Sequence, residues 1–430
     1  MGTNKMSNAR ILIVGNGGRE HAIAWALKKS PHVGEIFIAS GNAGTSAIGQ
    51  NVPIAPEDIS ALVKFAYEQH FDLVVIGPEV PLALGLADEL KQIGLRVFGP
   101  MRASAQIEAS KAFAKALMVK KNIPTAEYAE FTDETSARAY LQTCKHPVVV
   151  KADGLAAGKG VVVCDNKEQA EEALNYLRHS GGFGSASSKI IIEERLYGVE
   201  ASVLAFCDGQ TVSLMPPARD HKRALDGDRG ANTGGMGAFA PISDLSIDDL
   251  AHIQKTIMQP MVDSLAENGT PFVGVLYAGL MLTSNGAKVL EFNARFGDPE
   301  TQVILPLLET DLYEVMIACV EGRLANISIQ WKNAFCATVV LASGGYPASY
   351  PKGLPITGLD KSSDGVMVFH AGTSVKNDTI ITSGGRVLAI SAFGDTLLMA
   401  LDRAYDHIQH IHFDGMHYRK DIGRTAGGVS

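Results

Sequence analysis

Apolar and polar positions follow two rhythms along the chain, and the change of rhythm divides it. At first, short apolar runs alternate with segments whose apolar positions recur every three or four residues. Ile11–Val14, Ile36–Ala39, Leu73–Ile76 and Val97–Phe98 read as strands, with helices at Glu20–Lys29, Ser60–His70 and Leu82–Ile93. Strand and helix in turn predict a small parallel α/β sheet. Ser104–Lys121 then reads as one helix. Strands follow at Val148–Lys151, Val161–Cys164, Ile190–Glu194 and Ala201–Cys207, with a helix at Lys167–His179. After Met215-Pro-Pro217 the periodicity gives way, to about Ala240, to a polar, glycine-rich stretch that reads as one long loop. A helix near Ser246–Asn268 leads to strands at Gly274–Leu282 and Lys288–Asn293. From about Ile327 short strands dominate, around one helix at Thr396–His410.

A length of 430 residues fits about three domains. Lys and Arg number 38 against 46 Asp and Glu, a net charge of −8. That balance disfavours a nucleic-acid coat and leaves room for a local basic pocket. The five cysteines are scattered and include no Cys-x-x-Cys. They read as packed thiols of a reducing cytoplasm, not as a disulfide framework or a zinc ribbon. No apolar run reaches the length of a membrane span or a signal-peptide core, so no membrane partner is expected.

Two glycine loops carry candidate chemistry. Gly15-Asn-Gly-Gly-Arg-Glu-His21 lies between a strand and a helix, where free backbone N–H groups suit an anion. It nearly matches a dinucleotide fingerprint, but Glu20 stands at the third glycine and no acid ends the second strand. A phosphate site, a turn without a ligand and a nicotinamide site all remain open from the residues alone. The second loop, Lys151-Ala-Asp-Gly-Leu-Ala-Ala-Gly-Lys-Gly160, joins two β-branched runs and lacks the Ser/Thr and helix of a P-loop. It reads as a hairpin that closes over phosphates through Gly158 and Lys159, or as a mobile hairpin with a solvated lysine.

Further along, Glu291 and Asn293 alternate on one strand and so share a face, about 7 Å apart. A carboxylate and an amide oxygen, completed by phosphate oxygens and water, suit one Mg²⁺ or Mn²⁺. The next turn, Arg295-Phe-Gly-Asp298-Pro-Glu300, gathers three charges beside them. Arg219 to Arg223, followed by Asn232-Thr-Gly234-Gly-Met-Gly237, has the composition of a substrate loop or of a solvated linker. His407, His410 and His412 read as surface residues near a helix end.

Taken in order, Gly15–Ala22, Gly77-Pro-Glu79, Ser110-Lys111, Lys151–Gly160, Asp220–Arg223, Asn232–Gly237 and Glu291–Thr301 resemble the phosphoribosylamine–glycine ligase family of ATP-grasp enzymes. Gly344-Gly-Tyr-Pro347, Gly384-Gly-Arg386 and Arg419–Gly423 extend the resemblance to nearly the whole chain. The resemblance implies a mixed α/β and α+β multidomain fold. Its parts are an N-terminal parallel α/β domain at 9–108, an ATP-grasp domain at 109–325 with a mobile lid at about 125–197, and a small β-rich C-terminal domain at 326–430. It implies ATP and Mg²⁺ or Mn²⁺ as cofactors. Glycine and 5-phosphoribosylamine are the implied small-molecule substrates, joined through a glycyl phosphate by a cytoplasmic monomer or weak dimer.

The expected nucleotide set is Lys111, Lys151, Gly158, Lys159, Glu193, Glu194, Arg195, Leu196 and Glu200. Lys151, Lys159, Arg295, Asp220 and Asp298 are the expected catalytic groups, and Glu291 and Asn293 the metal ligands. Gly17, Gly18, Asn232, Gly234, Arg295 and Asp298 are expected to hold substrate. A different ATP-grasp ligase or carboxylase, a nucleotide-sensing module and a nicotinamide oxidoreductase are the rival readings.

Overall fold

The computed structural model describes residues 8–155, 160–180 and 188–424, so Gly158 and Lys159 lie outside the described residues. The N-terminal part is built on a five-stranded parallel sheet. Its order is Gln50–Val52, Val33–Ser40, Ala9–Gly15, Leu73–Ile76, Val97–Phe98. Ile11, Leu12, Ile13 and Val14 are all fully buried, because helices or other layers cover both faces of a parallel sheet. The helix Gly18–Leu27 starts directly after the central strand. The turn at Gly15–Gly17 therefore sits at the strand's carboxyl end, where open α/β sheets bind ligands.

Two helices expected to be continuous are broken. Leu82–Ile93 divides into Glu79–Leu84 and Leu86–Gln92 at Gly85, whose φ of +90° interrupts the helix. Ser104–Lys121 divides into Arg102–Ala109 and Lys111–Lys120. Ser110 between them is extended, and its hydroxyl caps the second helix by accepting from Phe113 N at 3.1 Å. Periodicity runs straight through both breaks because apolar spacing does not register a single cap. The second break matters for function, since it puts Lys111 at a helix start.

The central part holds two antiparallel four-stranded sheets. One is ordered Tyr128–Phe131, Ile190–Glu194, Val148–Ala152, Val161–Cys164, with its own small core around Leu141, Val150, Leu174 and Ile192. The other is ordered Val212–Leu214, Val199–Asp208, Val273–Thr283, Gly286–Asn293. Both line a single cleft.

The stretch expected as one long loop contributes four short strands. Arg219–Asp220 and Gly237–Ala240 join Phe335–Ala342, Arg386–Gly394 and Val366–His370 in a five-stranded antiparallel sheet. Arg223–Leu225 and Arg229–Asn232 pair as a hairpin. These strands are two to four residues long, too short for an alternation to show. The C-terminal sheet thus draws on residues from both sides of position 326. The helix Leu397–Ile408 covers it with Leu401, Ala404 and Ile408. His407 on that helix is buried, contrary to expectation, with its Nδ1 2.9 Å from Ser363 Oγ, whereas His410 and His412 are exposed.

Candidate active site

A cleft of about 1130 Å³ is lined by all three parts of the chain. At one end stand lysines. Lys151, next to last in the strand Val148–Ala152, is buried, with Nζ 2.8 Å from Glu193 Oε2 and 3.2 Å from the Leu290 carbonyl oxygen. Lys115, 1% exposed, approaches the same carboxylate at 3.3 Å. Burial lowers the Lys115 ammonium to about 8, against the pull of Glu193. Lys111 Nζ donates to the Gly154 carbonyl oxygen at 3.0 Å. Asp153 accepts from Ser110 Oγ at 3.1 Å and from Ala112 N at 3.1 Å. The base of the glycine hairpin is therefore tied to the helix start that carries Lys111.

Glu193, expected beside the nucleotide, is 2% exposed and serves as the anchor of two lysines. Glu194 instead pairs with Lys288 at 3.0 Å. Arg195 pairs with Asp165 and lies over the Tyr197 ring at 5.1 Å. Leu196 lines the cleft, as do the apolar Val149, Val163, Met281 and Leu290. Glu200 is held by Lys222 Nζ at 2.7 Å.

The metal pair lies on the strand Gly286–Asn293, with Phe292 turned into the core between them. Glu291 stands opposite Gly279, and Asn293 opposite Tyr277. A Cβ at Gly279 would lie 3.4 Å from Glu291 Cγ, so the missing side chain leaves the carboxylate room. Burial raises the Glu291 carboxyl, but the charges of Lys222, Lys111, Lys151 and Arg295 outweigh it and hold the group below its usual range. Its oxygens make no hydrogen bond among the described residues. An ionised, unbonded carboxylate next to an amide oxygen fits a hard divalent cation. Among the described residues no group of three or more His, Cys, Asp or Glu could hold a metal, so a cation on this pair would need further oxygen ligands from phosphate or water.

Arg295 is fixed on several sides. It lies 2.9 Å from Glu108, 3.4 Å from Glu79 and 3.3 Å from Asn293 Oδ1. Burial disfavours its charge, and the two acids more than offset this, raising its pKa. Glu108 also accepts from Ala294 N at 2.7 Å. Asp220 is the opposite case. Burial pushes it up to about 7, with Lys222 opposing and Glu300 and Glu200 adding to the shift. Behind it, Glu300 accepts from Tyr277 OH at 2.6 Å and from Ser202 Oγ at 3.0 Å.

Asn16 and Gly17 of the first glycine turn line the same cleft. Gly18, expected to hold substrate, is instead buried, and a Cβ there would lie 2.7 Å from Gln302 Nε2. Glu20 decides what the turn can do. Its Oε2 accepts from Gly17 N at 2.7 Å, and Arg19 Nε lies 2.5 Å from Oε1. A Cβ at Gly15 or Gly77 would collide with this carboxylate at 2.5 or 2.0 Å. The Glu20 carboxylate therefore takes the Gly17 N–H that a pyrophosphate would need and sets a negative charge at the helix start, which counts against the nicotinamide reading. A Cβ at Gly17 would lie 3.5 Å from Asp298 Oδ2. Asp298 Oδ1 accepts from Gln302 Nε2 at 2.8 Å. Asn232 ends the exposed hairpin, and Gly234 lines the cleft just beyond.

Lys115, Glu20, Glu108, Lys222, Tyr277 and Glu300 belong to the site but were not assigned from sequence. Lys115 left one trace: a lysine in an apolar helix, four residues after Lys111 and hence on the same side. The partners of Glu108 and Glu300 come from distant segments and leave none.

Three family models cover the chain: "Phosphoribosylglycinamide synthetase, N domain" at residues 9–108, its "ATP-grasp (A) domain" at 109–301 and its "C domain" at 336–425. The "Phosphoribosylamine--glycine ligase" of Nostoc sp. is 51% identical over 96% of the chain and 99% of its own length. The "Trifunctional purine biosynthetic protein adenosine-3" of Gallus gallus is 50% identical over 97% of the chain, which spans only 42% of that longer protein. Among solved structures, the phosphoribosylamine–glycine ligase of Thermotoga maritima superposes with a TM-score of 0.85 at 34% identity, over 96% of this chain and 100% of that one.

Proposed function

The chain belongs to the phosphoribosylglycinamide synthetase family, and from that premise we propose how its cleft residues divide the work of an ATP-dependent ligation. The reaction joins glycine to 5-phosphoribosylamine, giving glycinamide ribonucleotide, ADP and phosphate, the second step of de novo purine biosynthesis. An amine does not displace oxide from a carboxylate at neutral pH. The glycine carboxylate must first take the γ-phosphoryl group and become a glycyl phosphate.

That transfer brings anions together, so cations must meet them. Lys111 and Lys151 stand where polyphosphate lies, and Lys159 completes the set from the hairpin. Glu193 and Lys115 act one step back by fixing Lys151. Glu291 and Asn293 hold Mg²⁺ or Mn²⁺, which when bound neutralises charge on the transferring phosphoryl oxygens. The adenine lies along the Glu193–Leu196 strand end, its edge read by backbone groups of Arg195 and Leu196. Glu200, steadied by Lys222, faces the nucleotide ribose.

Arg295 supplies a fixed positive charge for the oxygen that gains charge as the amine attacks. Asp220 and Asp298 hold the amine and the sugar hydroxyls, with Asn232, Gly234, Gly17 and Gly18 around the sugar phosphate. Closing the hairpin from Lys151 to Gly160 keeps water from the acyl phosphate. The functional parts fall at 9–108, 109–325 and 326–430, with residues 125–197 as the lid. The enzyme works in the cytoplasm on small molecules, as a monomer or weak dimer, with no membrane or nucleic-acid partner. No helix among the described residues is long and apolar enough to cross a membrane.

The observation that carries this reading is the Glu291 carboxylate, held below its usual pKa by Lys222, Lys111 and Lys151 and without a hydrogen bond among the described residues. The test is phosphate release from ATP. It should require glycine and phosphoribosylamine together, and release that ignores either substrate would sink the ligase.

A further inference from the structure

The motifs Gly344-Gly-Tyr-Pro347 and Gly384-Gly-Arg386 have no part in the chemistry described so far, yet Tyr346 and Arg386 both reach the cleft. Arg386 opens the strand Arg386–Gly394. Its Nη1 donates to the Gly234 carbonyl oxygen at 2.6 Å and to the Asp298 carbonyl oxygen at 2.9 Å, and its Nη2 lies 3.1 Å from Asp298 Oδ2. A guanidinium has five N–H donors in a fixed fork. The hydrogen bonds above use both hydrogens of Nη1, and the Nη2–Asp298 contact is an ion pair without hydrogen-bond geometry. The Nε and Nη2 hydrogens make no hydrogen bond among the described residues.

Tyr346 stands beside it. Its hydroxyl oxygen accepts from Gly234 N at 3.1 Å, which leaves its own proton to give. Both side chains are seated rather than loose. A Cβ at Gly234 would lie 2.9 Å from Arg386 Cζ, and one at Gly385 would lie 2.3 Å from the Tyr346 ring. Only glycines permit this approach. The same cluster lies near the first glycine turn, where a Cβ at Gly17 would come 3.5 Å from Asp298 Oδ2. Meanwhile Lys111, Lys115 and Lys151 are committed to Gly154 and Glu193, in a separate group. ATP has its cations there, and a second phosphorylated substrate needs its own.

We propose that Arg386 and the Tyr346 hydroxyl bind the 5-phosphate of phosphoribosylamine, while Asp298 takes a sugar hydroxyl on the same side. This inference rests on the ligase reading above. A planar fork matches two phosphate oxygens at once, and here it is already held on its other side, so little side-chain freedom is lost on binding. The C-terminal part thereby supplies substrate specificity.

Ribose 5-phosphate is a stable probe, and calorimetry can measure its binding and that of ATP to the full chain. Arg386→Ala should weaken ribose 5-phosphate by roughly tenfold or more and leave ATP within twofold. Arg386→Lys, which restores charge without the fork, should fall between, and Tyr346→Phe should show a smaller loss. Ribose 5-phosphate affinity unchanged in Arg386→Ala overturns the proposal. So does an equal loss of ATP and sugar phosphate in both arginine variants, which makes the residue structural. Failure of the unaltered protein to bind ribose 5-phosphate at all counts against the ligase reading instead.

Discussion

Lys151 and Glu193 meet diagonally across two antiparallel strands, with Nζ 2.8 Å from Oε2 and both side chains buried. Glu193 is opposite Val149, two residues before Lys151 and on the same sheet face. The acid thus aims the lysine into the cleft, and Lys115 closes the group from a helix.

Replacing Lys151 by Ala should remove the phosphate contact and leave Glu193 with Lys115 alone. Steady-state phosphate release is expected to fall about 100-fold or more, with nucleotide still bound. An unchanged rate would show that the γ-phosphate lies elsewhere.

Glu291→Gln keeps the shape and removes the charge. The divalent ion needed for half-maximal rate should rise steeply, and kcat at saturating ion should drop on the order of 100-fold. Mn²⁺ binding followed by electron paramagnetic resonance gives a readout independent of turnover. Tight Mn²⁺ binding in the variant would move the metal site.

Asp220 makes a pH prediction. Its folded pKa, raised by burial to about 7, lies above the usual carboxylate value. Between about pH 4 and 7 the folded chain then holds a proton that the unfolded chain has lost, so this group makes folding less favourable as pH rises through that window. Amine holding needs the ionised form. The kcat/KM for phosphoribosylamine should therefore climb through a limb near pH 7, and Asp220→Asn should abolish that limb.

A second pH effect comes from the contact between the first helix and the C-terminal sheet. His370 N donates to His21 Nδ1 at 2.8 Å. Burial lowers His21 to about 3, aided by the His370 charge, and lowers His370 to about 4. Both pKa values lie below the unfolded value, so their contribution to stability is complete above about pH 6.5 and is lost as pH falls through that value towards 4. Urea midpoints should drop over this range, and His21→Gln should flatten the slope. Equal slopes would place the acid sensitivity elsewhere.

The order of motifs made much of the site legible. Lys111, Lys151, Glu291, Asn293 and Arg295 all line one cleft. Strand alternation alone put Glu291 and Asn293 on one face. What stayed hidden depends on partners far away in the chain. Glu193 reads as the end of an apolar strand until Lys115 and Lys151 converge on it. Arg386 is only the end of a Gly-Gly-Arg motif until Gly234 and Asp298, 152 and 88 positions away, come under its guanidinium. The strands of residues 219–240 were missed because a neighbouring sheet, not local periodicity, makes them strands.

The sheet shared between residues 219–240 and the last hundred residues constrains how such enzymes can be recombined. A chimera that exchanges the C-terminal part at position 326 would leave Gly237–Ala240 zipped against a foreign Phe335–Ala342 and set a foreign arginine over Gly234. Carrying residues 219–240 along with the C-terminal part keeps that seam intact, so transplants cut this way should keep their donor's preference for the sugar phosphate.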